Sequence, residues 1–488
     1  MATLISKQFS QKHTITDEQQ HAVNMAQAGH SLKIAAFAGT GKTTTLRAIA
    51  NAKHGKRGLY LSFNKAIAEE ATCSFPSHVQ CKTAHSLAYA SVGHLYRNRL
   101  NQRLTGNQVA DALNIKEGIP SYTRSATGYL IMETLQCFIQ SNNSNIGTVH
   151  VPGETLRKLD NDQQRSIASN HVVEYARRLW AIKTNVAGTL AVSHDDYLKI
   201  WALQKPLLNY DFILFDEAQD ANPVMLAIVT QQASQQIFVG DRFQQIYAWR
   251  GAVNAMNGIE TDKTAILRQT FRFGPAIAET ANCILGLNNT DGLIGSTTIN
   301  SQITQDNAPQ AIICRSNAGV IETLITQMGC KRKAILLGGT GEIIGQLRGA
   351  QQLRQGRPAT TPELNMFSDW LEVQQYAESD AGANLKSLVK LVDKYSSSLP
   401  QLIQIIETAG NIPANEAEVT ITTTHKAKGR EWDSVQVHDD FFTARCPIQA
   451  QAERNLLYVA ATRAKTRLDV SLCPLLVNKV PVSELRIH

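Results

Sequence analysis

At 488 residues, with 43% hydrophobic and 18% charged residues, the chain can hold two to four domains of roughly 100–200 residues and bury a sizeable core. Forty-eight Lys and Arg against 41 Asp and Glu give a formal net charge of +7, which suits a polyanionic partner but is too modest to name one. Eight scattered cysteines without a CxxC pair argue against a zinc site or disulfide framework, and with no apolar run near the ~20 residues of a membrane span and no signal-peptide pattern, a cytoplasmic protein is expected.

In chain order, Ile15–Val23 reads as a short helix with Thr16 or Asp17 as its cap. Gln19 on it is a candidate for the adenine edge, because a carboxamide both donates and accepts. Its alternative is an ordinary polar helix face. The apolar run Leu32–Phe37 then predicts a buried strand, Ala38-Gly39-Thr40-Gly41 a tight turn, and Lys42 the start of a helix. Backbone N–H groups of such a loop, with the free donors of a first helical turn, cradle a polyphosphate. Ala38, Gly39, Thr40, Gly41, Lys42, Thr43 and Thr44 are therefore the expected nucleotide-binding residues, with Lys42 on the terminal phosphates and the Thr43 hydroxyl on Mg²⁺. Ala36 stands where the first glycine of such a loop is usual.

Gly58–Lys65 predicts a second strand entering a loop, a helix follows over Ala66–Ala71, and Val79–Ala88 repeats the arrangement. Asn64, Thr83 and His85 thus fall at C-terminal strand ends, where open α/β sheets bind ligands. Phe63 beside them is a candidate base platform or a core residue. From Tyr89 to Ser193 the pattern becomes helical, with a partly basic face of Arg97, Arg99, Arg103, Arg177, Arg178 and Lys183.

The sheet resumes at Phe212–Phe215, which delivers Asp216 and Glu217. Asp216 is expected to hold Mg²⁺, and Glu217 to orient and deprotonate the attacking water. Gln236–Asp241 predicts another strand, followed by Gln244, a candidate sensor of a γ-phosphate, and by Tyr247 and Trp249. Trp249 either stacks a base, an interaction worth roughly 1–3 kcal/mol, or packs under the loop with Tyr247. In the second half, Ala311–Arg315 and Val419–Thr422 predict strands and Leu468–Leu472 the last one. A polar helical run extends from Leu336 to Pro413, with Ser396–Ser398 a turn between helices.

The motifs, in this order, resemble those of the superfamily 1 helicases of the UvrD/Rep type. Gln19 matches the Q motif, Ala36–Thr43 motif I, Leu61–Lys65 and Thr83–Leu87 motifs Ia and Ib, Asp216–Asp220 motif II and Gly240–Gly251 motif III. Leu267–Arg272, Thr423–Trp432 and Glu453–Ala464 match motifs IV, V and VI. The resemblance implies an α/β fold of two RecA-like P-loop motor domains with parallel sheets, each carrying a mostly helical insert. The expected domains are 1–88 with 194–265, its insertion 89–193, 266–335 with 414–488, and a reduced accessory domain 336–413. ATP and Mg²⁺ are the implied cofactors, with Arg272 and Arg463 on the γ-phosphate, Phe271 on the adenine face and Glu431 on the ribose hydroxyl. The implied DNA face comprises Phe63, Asn64, Thr83, His85, Tyr247, Trp249, Arg250 and His425.

Within that superfamily, Ala36–Thr43, Ser62–Lys65, His194–Lys199, Gln244–Tyr247 and Thr424–Gly429 resemble the helicase core of the F-box DNA helicases. Phe63 falls one place later than in the UvrD/Rep pattern, and Arg430 replaces a usual leucine. Only a short tail precedes Gln19, so neither an F-box nor a ubiquitin-ligase assembly is expected. The implied activity is an ATP-driven motor running 3′ to 5′ on single-stranded and tailed duplex DNA, in repair or recombination control. The alternatives are a translocase that strips recombinase filaments or other proteins from single strands, and a nucleotide-gated subunit acting through a partner.

Overall fold

The computed structural model describes residues 15–477 except 101–103, 153–155, 157–158, 160, 247–254, 289, 362, 366, 379–384, 411 and 443–446. The strands β1 (Leu32–Ala36), β2 (Gly58–Ser62), β3 (Val79–Thr83), β4 (Phe212–Phe215), β5 (Gln235–Gly240) and β6 (Lys263–Leu267) form one six-stranded sheet in the order β3-β2-β4-β5-β1-β6. Its pairings are all parallel. β2 and β4 are buried along their whole length, as expected of central parallel strands covered by helices on both faces. Leu59, Leu61, Ile213 and Phe215 point into one helix layer, and Tyr60, Phe212 and Leu214 into the other. The edge strand β3 instead alternates buried and open positions.

A second parallel six-stranded sheet follows: β7 (Gln302–Ile303), β8 (Ala311–Cys314), β9 (Ala334–Leu336), β10 (Val419–Thr423), β11 (Trp432–Val437) and β12 (Ala464–Asp469), in the order β7-β12-β11-β8-β10-β9. β12 corrects the expectation of a last strand over Leu468–Leu472. The Asp469 carboxylate accepts from the Ser471 N–H at 2.8 Å and from the Asp306 N–H at 3.1 Å. Those bonds turn the chain, although Val470 and Leu472 continue the apolar alternation.

The stretch between β3 and β4 carries helices at Gly106–Ala112, Arg124–Gln140 and Asp162–Thr184, wrapped around a core of their own that includes Leu130, Phe138, Val172 and Leu179. Its expected basic face is largely internal bonding. Buried Arg99 donates to the carbonyls of Lys183, Asn185 and Leu190, Arg177 to that of Ile146, and Arg178 to that of Leu113. Lys183 pairs with buried Asp196 at 2.6 Å. Arg103 lies outside the described residues. The helices Gly341–Arg354, Lys386–Lys394 and Leu399–Ala409 contribute Leu347, Val392 and Ile406 to one core with Ile312 of β8 and Ile421 of β10. Ser396–Ser398 joins the last two of these helices, as expected.

Candidate nucleotide cleft and nucleic-acid face

β1 runs into the loop Phe37–Gly41 and a helix over Lys42–Ala52. Gly39 and Gly41 have φ of 74° and 76°, the left-handed region that favours glycine. At Gly39 a Cβ would also fall 2.4 Å from Thr270 Oγ1, so the loop depends on this glycine for its packing. Thr40 Oγ1 donates to the Phe37 carbonyl at 2.9 Å, closing the turn from within. β4 lies two strands away, beyond β5, and brings its acids to the same edge of the sheet. Gly240, at the end of β5, allows that approach: a Cβ there would meet Gln219 Oε1 at 2.4 Å.

Lys42 Nζ lies 2.9 Å from Glu217 Oε1. Burial alone lowers the Lys42 ammonium's pKa, but the carboxylates of Glu217, Asp241 and Asp216 outweigh it and hold the value above normal. Thr43 Oγ1 and the Tyr60 hydroxyl both donate to Asp216 Oδ2, at 2.9 and 2.7 Å. Burial, with Glu217 adjacent, raises the Asp216 carboxyl. Burial also pushes Glu217 upward, but Lys42 and Lys428 prevail and bring it down to about 2. Glu217 itself has φ 52°, a strained value for a non-glycine residue, and its carboxylate accepts from the Gln219 side chain.

Residues from the second half close the other side. Arg272 Nε donates to Glu431 at 2.7 Å and its Nη1 to the Thr462 carbonyl at 3.3 Å. Arg463 is 1% exposed and bonds only backbone carbonyls and the Thr462 hydroxyl among the described residues. Burial, reinforced by the neighbouring Arg272 charge, lowers its guanidinium to about 9. Lys428 pairs with Asp220 and donates to the Gln244 carbonyl at 2.8 Å. Together with Gly39–Thr44, Glu217, Gln244 and Phe271, these residues line a cleft of ≈ 730 Å³. Phe271 is half exposed and faces it, as an aromatic platform must.

Three expected contacts are engaged within the protein. Gln19 accepts from the Thr16 N–H at 3.0 Å and donates to the Thr40 carbonyl at 3.3 Å, which leaves one N–H and one acceptor site of its carboxamide for adenine. Ala38 is fully buried, and its N–H donates to the Tyr458 hydroxyl at 3.0 Å rather than facing the cleft. Glu431 bonds Arg272, so ribose contact requires sharing that carboxylate.

Phe63, Asn64, Thr83 and His85 line a second cavity of ≈ 570 Å³ with Tyr89, His194 and Tyr197. Asn64 and Thr83 also cap the helices that follow them, accepting from the N–H groups of Ile67 and Ser86. His85 Nε2 is 2.9 Å from Asp195. His425 lies elsewhere, lining a third cavity of ≈ 520 Å³ with Arg315 and Lys426, its Nε2 3.0 Å from the Ile246 carbonyl. Tyr247, Trp249 and Arg250 lie outside the described residues. Sequence reasoning missed Tyr60, Asp241, Lys428 and Tyr458. Tyr458 carried one signal: a lone hydroxyl in the apolar run Leu456–Ala461.

A phosphate loop after β1, carboxylates after β4 and arginines facing them define a P-loop protein of two RecA-like units. Comparison with known proteins agrees. The family described as UvrD/REP helicase N-terminal domain matches residues 15–263, and the UvrD-like helicase C-terminal domain matches 418–470. The chain belongs to the UvrD/Rep-like helicases. It is 34% identical to F-box DNA helicase 1 of Gallus gallus over 502 residues, covering 94% of this chain and 49% of that protein. It is 30% identical to F-box DNA helicase protein 1 of Schizosaccharomyces pombe over 522 residues, 96% of this chain and 59% of that one. The chain thus spans about half the length of these curated relatives. A shorter match, 34% over 88 residues, covers 16% of this chain and 12% of the ATP-dependent DNA helicase PcrA of Leuconostoc citreum. Among the described residues no helix is long and apolar enough to cross a membrane.

Proposed function

We propose that the chain is an ATP-dependent DNA helicase that translocates 3′ to 5′ on single-stranded DNA, in repair or recombination control. The observation that carries this reading is that Arg272 and Arg463 line the same cleft as Gly39–Thr44 and Glu217. In this reading residues 1–88 with 194–265 and 266–335 with 414–488 are the two motor domains, and 89–193 and 336–413 their insertions.

The loop backbone and Lys42 bind the phosphates of ATP. The Thr43 hydroxyl and the Asp216 carboxylate are hard oxygen donors held 2.9 Å apart beside Lys42, a pair that fits Mg²⁺. Bound there, Mg²⁺ neutralises charge on the transferring phosphoryl group. Tyr60 holds Asp216 in that orientation. Glu217, kept ionised by the cations around it, accepts the proton of the attacking water. Lys42 then has to pass from Glu217 to phosphate, which frees the carboxylate for that task. Arg463 and Arg272 meet the negative charge that develops on the γ-phosphate, and the buried Arg463 guanidinium, which bonds no carboxylate among the described residues, is a strong anion site. Hydrolysis splits ATP into ADP and phosphate, release of that phosphate removes the anion holding the two sides together, the cleft relaxes, and the units step along the strand carried by the face containing Phe63 and His85.

The test is ATP turnover with and without single-stranded DNA, followed by unwinding of duplexes bearing either a 3′ or a 5′ tail. Stimulation by DNA and unwinding of the 3′-tailed duplex are expected. Turnover indifferent to DNA would sink the motor reading, and preference for the 5′ tail would reverse the polarity.

A further inference from the structure

We infer that Tyr458 is a positioning residue of the nucleotide cleft: its hydroxyl is the joint through which the second unit aligns the phosphate loop, Gln244 and Glu217 together. The inference rests on the ATP-driven reading above and adds a residue that this reading does not use.

Tyr458 lies on the helix Pro447–Ala461 and is fully buried in the core against the second sheet. Its ring meets Phe243 edge-on, with centroids 6.1 Å apart, and Phe243 stacks on Phe37 at 5.8 Å. An aromatic column therefore runs from the start of the phosphate loop into the second unit. At its end the Tyr458 hydroxyl accepts from the Ala38 N–H and donates to Asp241 Oδ2, both at 3.0 Å. Burial pushes the phenol well above its ordinary pKa, so it keeps the proton that it donates.

Asp241 distributes that contact. Its Oδ2 also accepts from Gln244 Nε2 at 2.8 Å, and its Oδ1 from the Phe243 N–H at 3.0 Å. The Asp241 N–H donates to Gln219 Oε1 at 3.0 Å, and the Gln219 amide in turn donates to the Glu217 carboxylate. One hydroxyl from the second unit thus touches the loop backbone directly, reaches Gln244 through one carboxylate, and reaches Glu217 through one residue more. Withdrawing the second unit would leave the Ala38 N–H and one oxygen of a buried carboxylate short of a partner, a costly state for both. A phenylalanine at 458 would keep the aromatic column and remove only the joint.

The experiment compares wild type with Tyr458→Phe in two readouts: steady-state ATP turnover with single-stranded DNA, and hydrogen exchange of the peptide spanning residues 36–42 without nucleotide. The variant is expected to lose roughly tenfold in kcat, the size of one hydrogen bond to a charged group, with a smaller change in KM. Its loop amides should exchange faster while those of β2 and β8 do not. A lowered melting temperature with unchanged kcat and unchanged loop exchange makes Tyr458 structural only and overturns the inference. A wild type inert with DNA defeats the motor reading instead, and the exchange comparison still decides the role of Tyr458. If Tyr458→Phe does not fold, Asp241→Asn leaves the ring in place and weakens the hydroxyl's acceptor; because Asp241 also holds Gln244 directly, it is read by loop exchange alone, and unchanged exchange of residues 36–42 overturns the inference.

Discussion

The two halves of the molecule bring opposite charge to one cleft. From the first sheet come Asp216, Glu217, Asp220 and Asp241, gathered around the Lys42 ammonium. From the second half come Lys428 and Arg463, with Arg272 on the segment that leads into it. Burial taxes both sides, raising the carboxyls of Asp216, Asp220 and Asp241 and lowering the Arg463 guanidinium. Each half pairs part of its charge internally, Lys42 with Glu217 and Arg272 with Glu431, while Lys428 reaches across the cleft to Asp220. On the proposed ATP-driven reading closure is a condition of chemistry, since it brings the buried Arg463 charge to phosphate.

The sharpest way to break the comparison is to remove Arg463, the buried cation that bonds no carboxylate among the described residues. Arg463→Ala should lower kcat for ATP by about 10³-fold or more, the range of arginine fingers, while ATP affinity changes far less. Single-turnover hydrolysis beside nucleotide titration measures both, and a kcat near wild type would remove Arg463 from the transition state. On the acidic side, Glu217→Gln keeps the shape and deletes the base. Turnover should fall by about 10²–10⁴-fold with ATP binding retained, as an equilibrium titration of the variant would show.

The smallest effect sharpens the picture through pH. Burial raises Asp220 to about 6 despite its pairing with Lys428. Above that value the carboxylate is charged and holds the lysine of the opposite side. Below it the carboxyl is neutral and the pair is lost, so DNA-stimulated turnover should decline as pH falls through about 6. Glu217, at about 2, stays ionised throughout and cannot produce that decline. In Asp220→Asn the step near pH 6 should vanish; its persistence would assign it to another group.

Much of the first side was legible because its signals are local. Lys42, Thr43, Asp216 and Glu217 each follow an apolar run that could only be a buried strand, and the structure sets all four at one sheet edge. The polar residues at the ends of β2 and β3 were equally legible, yet Asn64 and Thr83 also serve as helix caps, a second local use of the same side chains. The arginines of the 89–193 insertion read as a basic face, but several spend their donors on carbonyls in the interior. Spacing cannot tell a solvated arginine from one folded inward.

Taken alone, the sequence determined β1 to β5 of the first sheet, β8 and β10 of the second, the phosphate loop and the identity of the acids, because strand periodicity and turn chemistry act over a few residues. The tertiary structure alone decided which distant groups share a hydrogen bond. Tyr458 lies 217 residues from Asp241 and 420 from Ala38. No local pattern carries such a separation. It arises because two sheets, each buried by its own apolar runs, meet at one edge where some polar groups, Asp241 and Asp220 among them, find a partner across the boundary.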